Sequence, residues 1–169
     1  MDVKFVNPFV MAIANVFEKM VHTKVKIGKP LLKQADLVSA EVSGIIGLSG
    51  HVQGMVVLSF PGDAACRVAS AFAGVELKKD SPDFADAIGE LANMVAGNAK
   101  KDFGEYCTSI SLPSVIIGPG HSVSQSKAWP YLVIPCETAL GNFSVEVALI
   151  ESSKPANQPA RPLPAGAVS

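Results

Sequence analysis

Asp86-Ala-Ile-Gly-Glu90-Leu-Ala-Asn93 lies inside a run whose periodicity decides what the rest of the chain must be built around. At about 100° per residue, Phe84, Ile88, Leu91, Val95 and Ala99 fall on one side of a helix. Asp86, Glu90, Asn93 and Gly97 fall on the other, and the two centres are roughly 170° apart. The apolar stripe must meet a core, so the polar one meets solvent or a partner. Glu90 and Asn93 are i, i+3 neighbours and stand side by side. The carboxylate can bind a cation, and the amide can orient a water without bringing charge near an anion. An exposed Glu and Asn ordinarily do no more than solvate a helix face. Gly89 and Gly97 argue for more, because each costs about 1 kcal/mol relative to Ala in a helix interior. A small residue beside a polar pair admits another backbone closely, whether a partner's or the chain's own.

Around this helix the elements follow a repeated order. Ser81-Pro82-Asp83 reads as a capped start with Pro at the first helical position, and the helix runs to about Lys101. Next come a strand over 108–118 that carries Pro113, an irregular stretch over 119–130, and a hairpin over 131–150 turning at Gly141-Asn142. The same sequence of elements appears upstream. Asn7 as cap and Pro8 at the first position open a helix with Phe9, Ile13, Val16, Phe17 and Met20 at core spacing. A short strand over 24–27 follows, and Lys24, Lys26 and Lys29 along it read as solvent-side or edge-protecting charges. A hairpin over 42–60 then turns at Ser49-Gly50. Ala12-Ile-Ala-Asn15 matches Glu90-Leu-Ala-Asn93, and Gly50-His-Val-Gln-Gly-Met-Val-Val-Leu58 matches Gly141-Asn-Phe-Ser-Val-Glu-Val-Ala-Leu149.

The expected fold is therefore α+β: a pseudo-twofold, duplicated helix–strand–hairpin unit whose strands join in one antiparallel sheet, with the two long helices packed on one face. The repeats span about 5–60 and 81–151, with a helix over 63–73 between them, in a single domain over 1–151. Only the second copy has the carboxylate, since Ala12 stands where Glu90 would be. The stretch 152–169 is rich in Pro and Ala without periodicity and is expected to be disordered.

Composition excludes several classes. With 169 residues, 17% of them charged and a formal net charge of −1, there is no electrostatic case for nucleic acid or an anionic membrane. No apolar run approaches the eighteen or so residues of a membrane span, and the opening residues do not read as a secretory signal. The expectation is a cytoplasmic protein. Cys66, Cys107 and Cys136 are far apart in apolar settings and read as buried free thiols. His22, His51 and His121 lack partners at metal spacing and read as surface or strand-end residues, so no metal site is expected. Gly47-Leu-Ser49-Gly50-His51 is a turn, not a nucleophile elbow, and Gly118-Pro-Gly120 opens no helix that could cradle phosphate.

Asp86-x3-Glu90-x2-Asn93, with Pro113 twenty residues on, resembles the signature of the CheC/CheX/FliY phosphatases of bacterial chemotaxis. The duplicated layout with a single carboxylate-bearing copy is most similar to the CheX branch, because CheC-type members usually carry two working copies. The resemblance covers about 5–151 and implies a CheC-like fold. Pro113 falls a few residues nearer to Asn93 than the family pattern has it, and Pro119 falls slightly beyond, which leaves the proline's role open. What the resemblance implies is hydrolysis of an aspartyl phosphate on a CheY-like receiver domain. Glu90 would contact a receiver lysine, and Asn93 would reach into the receiver's active site and position the attacking water. Asp86, one turn before Glu90, would either help bind the partner or simply solvate the helix start, while the smallness of Gly97 on the same face would let a partner approach. Mg²⁺ would belong to the receiver, the chain supplying no cofactor of its own, and family relatives suggest a homodimer. The competing expectation is a non-catalytic binding module of the same fold, like the middle domains of flagellar switch proteins. The Glu/Asn pair separates the two, since a scaffold does not need it.

Overall fold

Alternating apolar residues in four long strands give one sheet face to the helices. In the computed structural model, which describes residues 3–32, 40–123, 129 and 131–152 (side chains from Phe5 on), these strands are β3 (Ala40–Gly50), β4 (Val52–Phe60), β7 (Tyr131–Glu137) and β8 (Phe143–Glu151). Val42 and Ile46, Val56 and Leu58, Ile134 and Cys136, and Val145 and Val147 all point into a single core. From the other side it receives Phe9, Ile13 and Phe17 of the first helical segment, and Phe84, Ile88, Leu91 and Val95 of α3 (Phe84–Lys101). A shorter helix, α2 (Gly62–Ala73), packs beside α3 and ends where Gly74 turns left-handed at φ 72°.

The sheet runs β1-β7-β8-β4-β3-β5, entirely antiparallel, with β2 (Leu31–Leu32) also on β7 and β6 (Ser114–His121) also on β3. Here β1 is Lys26–Ile27 and β5 is Thr108–Ile110. This order is a palindrome of the two repeats. Val56 and Val147, equivalent in the sequence match, are paired with each other across β4 and β8, as a twofold axis through that pair requires. Each repeat also sends its short strand to the other's hairpin: β1 joins β7, and β5 and β6 join β3. Each half therefore completes its sheet with the other half's strand, which joins the two in one continuous sheet.

Several local expectations are corrected. Helix α1 is Val3–Val16, so Asn7 is no cap and Pro8 lies inside the helix. The two residues before Asn7 explain this: Phe5 (3% exposed) packs edge-on against Phe103 and Tyr106, and Val6 (6% exposed) is buried with it. Burying such side chains is worth about 1.5–3 kcal/mol each, enough together to offset the roughly 3 kcal/mol of an interior proline. The segment continues as a π-helical turn, Phe17–Val21, closed by His22 at φ 56°. At the start of α3, Ser81 Oγ accepts the Lys78 N–H (2.9 Å) and its carbonyl accepts the Phe84 N–H (3.1 Å). Pro82 thus sits in the preceding turn and Asp83 takes the cap position, without a side-chain bond.

The strand expected over 108–118 is two strands, broken at Ser111-Leu112-Pro113, because a proline cannot donate to a ladder. β6 then extends to His121, into the stretch read as irregular; 124–128 and 130 lie outside the described residues. So does the expected tail from 153 on, while the Ser152 N–H still bonds the His51 carbonyl (2.7 Å). Lys26 forms a cross-strand ion pair with Glu137 (3.0 Å). Cys136 is buried, with its thiol pushed up to about 12 by burial, and Cys66 is half-buried. Cys107 is exposed, contrary to expectation. Its backbone is held in a reciprocal pair with His51, whose N–H donates to the Cys107 carbonyl (2.9 Å) and whose Nδ1 accepts the Cys107 N–H (3.0 Å).

The sheet's other face carries a polar chain. Ser59 Oγ donates to the buried Glu146 carboxylate (2.8 Å), and Ser43 Oγ lies 3.4 Å from Ser59 Oγ and 2.8 Å from His121 Nε2. Burial and Glu146 together push the Tyr131 phenol upward. Among the described residues no helix is long and apolar enough to cross a membrane.

Candidate active site

The core stripe of α3 fixes which way its polar stripe faces. Ile88, Leu91 and Val95 are fully buried, and Ala92 meets the sheet so closely that a Cβ on Gly44 of β3 would come within 3.1 Å of its methyl. That clamp turns Asp86 and Glu90 to solvent and leaves Asn93 and Gly97 half-buried at the margin. Asn93 Nδ2 stands 3.5 Å from Glu90 Oε2, the limit of a hydrogen bond, so the two groups are adjacent but loosely coupled. Among the described residues nothing engages the Asn93 carbonyl oxygen. The amide can therefore accept from a water and donate to an anionic oxygen at the same time.

The two glycines of the helix separate in role. Gly89 is buried, and a Cβ there would meet Pro113 Cβ and Cγ at 3.3 Å and Val115 Cγ2 at 3.4 Å. Its smallness serves the chain's own packing. Gly97 has only Ile110 Cδ1, at 3.9 Å, near its missing Cβ, so internal packing does not require it.

Pro113 thus lies against the turn between Asp86 and Glu90 despite its short spacing from Asn93. The break at Ser111-Leu112-Pro113 carries the chain there, with the Ser111 N–H donating to the Gly47 carbonyl (2.9 Å) and Ser111 Oγ accepting the Gly47 N–H (2.9 Å). Between helix and break is a notch of about 480 Å³ lined by Ala85, Asp86, Gly89, Glu90, Pro113 and Val115. Its rim is acidic and its wall apolar. Sequence reasoning found the carboxylates but missed this wall; the signal it had was the proline, which demotes any strand that contains it.

In the first repeat Ala12 is buried at 4% while Asn15 is exposed. That copy has an amide but no room for a carboxylate. A second cavity, about 360 Å³ near Phe60 and Phe143, has no charged lining side chain among the described residues. Among the described residues no three His, Cys, Asp or Glu side chains converge as metal ligands.

Comparison with known proteins identifies the family and the fold. The family model described as "Chemotaxis phosphatase CheX" matches residues 42–137, more than half of the chain and the whole of α3. A Thermotoga maritima protein named "CheY-P phosphatase CheX" is 28% identical over 122 residues, covering 70% of this chain and 78% of that one. The crystal structure of a chemotaxis protein CheX from Desulfovibrio desulfuricans superposes with a TM-score of 0.79 at 31% identity, covering 88% of this chain and 99% of its own. The CheX–CheY–BeF3–Mg complex from Borrelia burgdorferi contributes a chain with a TM-score of 0.72 at 26% identity, covering 87% and 98%.

Proposed function

Because the chain belongs to the CheX family of chemotaxis phosphatases, we propose that it hydrolyses the aspartyl phosphate of a CheY-like receiver domain. The observation that carries this reading is the pairing of an exposed Glu90 with a reachable Asn93 amide on one face of α3. Phosphoryl transfer asks for in-line positioning and charge neutralisation rather than covalent help. Asn93 supplies the positioning: its carbonyl orients water, its N–H faces a phosphoryl oxygen, and it brings no negative charge to an anionic centre. Glu90 supplies docking by pairing with a lysine of the receiver, with Asp86 adding negative charge one turn away and Gly97 admitting the partner's surface. Neutralisation comes from Mg²⁺ held by the receiver. The same reading places the chain in the cytoplasm with its partner.

The test is the decay of a phosphorylated CheY-like receiver in Mg²⁺, with and without substoichiometric protein. Catalytic acceleration is expected, and unchanged decay would overturn the reading. Glu90→Ala is expected to weaken association severalfold, more at low salt than at high, while changing fold stability by no more than about 0.5 kcal/mol.

A homodimer is part of the proposal. Strand β6 pairs only with β3 among the described residues, has no charged residue, and leaves Ile116 and Ile117 at 40% and 42% exposure. Such an edge favours antiparallel pairing with its own copy. Sedimentation is expected to give a dimer that Ile116→Lys converts to monomer; a wild-type monomer at micromolar concentration would exclude it.

A further inference from the structure

Leu112 is 88% exposed, more than any other large apolar side chain among the described residues. A lone exposed leucine needs no explanation by itself; its position and its support do. The segment from β5 to β6 runs along α3. Ile110 lies beside Gly97, and Pro113 lies beside Gly89. Leu112 sits between these two contacts in sequence, alongside the stretch of helix that carries Glu90 and Asn93. Pro113 turns toward the helix and Ser111 toward Gly47 of β3, while Leu112 turns to solvent.

The backbone that presents it is held on both sides. Ser111 exchanges two hydrogen bonds with Gly47 and its hydroxyl donates to the Leu112 carbonyl (2.7 Å). On the other side the Pro113 ring fixes φ and packs on Gly89. A side chain on so fixed a backbone loses little chain freedom on docking.

We infer that Leu112 is an apolar anchor for the receiver domain, inserting into an apolar depression of that partner beside the group paired with Glu90. The inference rests on the proposed function for its partner, and continuity with the Asp86–Glu90–Asn93 face supports it. An exposed ion pair is worth little while water surrounds it. An apolar contact at its edge excludes that water and adds its own burial. Leu112 then governs affinity and the choice of receiver, while Asn93 governs the reaction.

The experiment measures Kd for a CheY receiver loaded with BeF3⁻ and Mg²⁺, and the first-order decay of the phosphorylated receiver at saturating protein. Leu112→Ala is expected to raise Kd about tenfold or more and to leave the saturated decay rate and the thermal melt unchanged. Leu112→Met is expected to restore most of the affinity. An unchanged Kd in Leu112→Ala overturns the anchor, and so does a fall in saturated rate without a change in Kd. A wild type that binds no receiver in either state removes it as well. A wild type that binds the BeF3⁻-loaded receiver but does not hasten decay sinks the phosphatase reading alone, and Kd still decides the anchor.

Discussion

Asn93→Ala is expected to slow receiver dephosphorylation by about 100-fold or more while the complex still forms. The magnitude follows from what the amide does: removing one preorganised hydrogen-bonding group aimed at a reacting centre costs about 10²–10³ in rate, near 3 kcal/mol or more of barrier. Binding is spared because Glu90, Asp86 and the apolar wall at Pro113 remain. The loss should appear in the saturated rate rather than in Kd, as expected of an interaction made in the transition state. Asn93→Asp is expected to be no better than Ala, since a carboxylate there repels the phosphoryl group. Stability should hardly change, because Asn93 makes only a marginal contact with Glu90. Stopped-flow decay of the phosphorylated receiver measures it. Equal rates for wild type and Asn93→Ala would exclude the water-positioning role.

Gly54→Ala carries the largest expected cost to the fold. Gly54 lies in β4 at φ 144°, paired with Leu48 on one side and Leu149 on the other. A Cβ there would overlap the Ala148 carbonyl oxygen and come within 3.1 Å of Leu149 Cα, so the obstruction is backbone. A side chain at this φ costs about 1–3 kcal/mol, and forcing the neighbouring strand aside adds about 1–3 more. The sum is about 3 kcal/mol or more against a total stability of about 5–15 kcal/mol for a domain, or a fall in Tm of about 10 °C. Gly97→Ala is the contrast: it meets only Ile110 Cδ1 at 3.9 Å and improves helix propensity, so its Tm should hold or rise. If the two variants melt together, the strain at Gly54 is not there.

The positions of these two glycines show how much could be read in the chain. Gly97 was visible as a residue of the polar face because a helix repeats every few residues and its stripes are written in consecutive sequence. The same local rule marked the end of α3 near Lys101, where the structure has it, and set Glu90 beside Asn93. It marked both hairpins, whose turns fall at Gly50 and near Gly141 with positive φ at each glycine. Gly54 gave no such sign, since the carbonyl that forbids a side chain there comes from β8, about ninety residues away in sequence.

The amino-acid order by itself determined the amphipathic helix, the doubled helix–strand–hairpin pattern and the single copy that has a carboxylate. Each of these is a periodicity or a match carried by neighbouring residues. Only the tertiary structure decided that each repeat gives its short strand to the other, that Phe5 and Val6 draw α1 past its proline, and that Pro113 closes against Gly89 to wall the notch beside Glu90. These outcomes turn on burial between segments far apart in the chain. The free energy of such contacts exceeds the local preferences of a proline or a cap, and no window of sequence contains both partners.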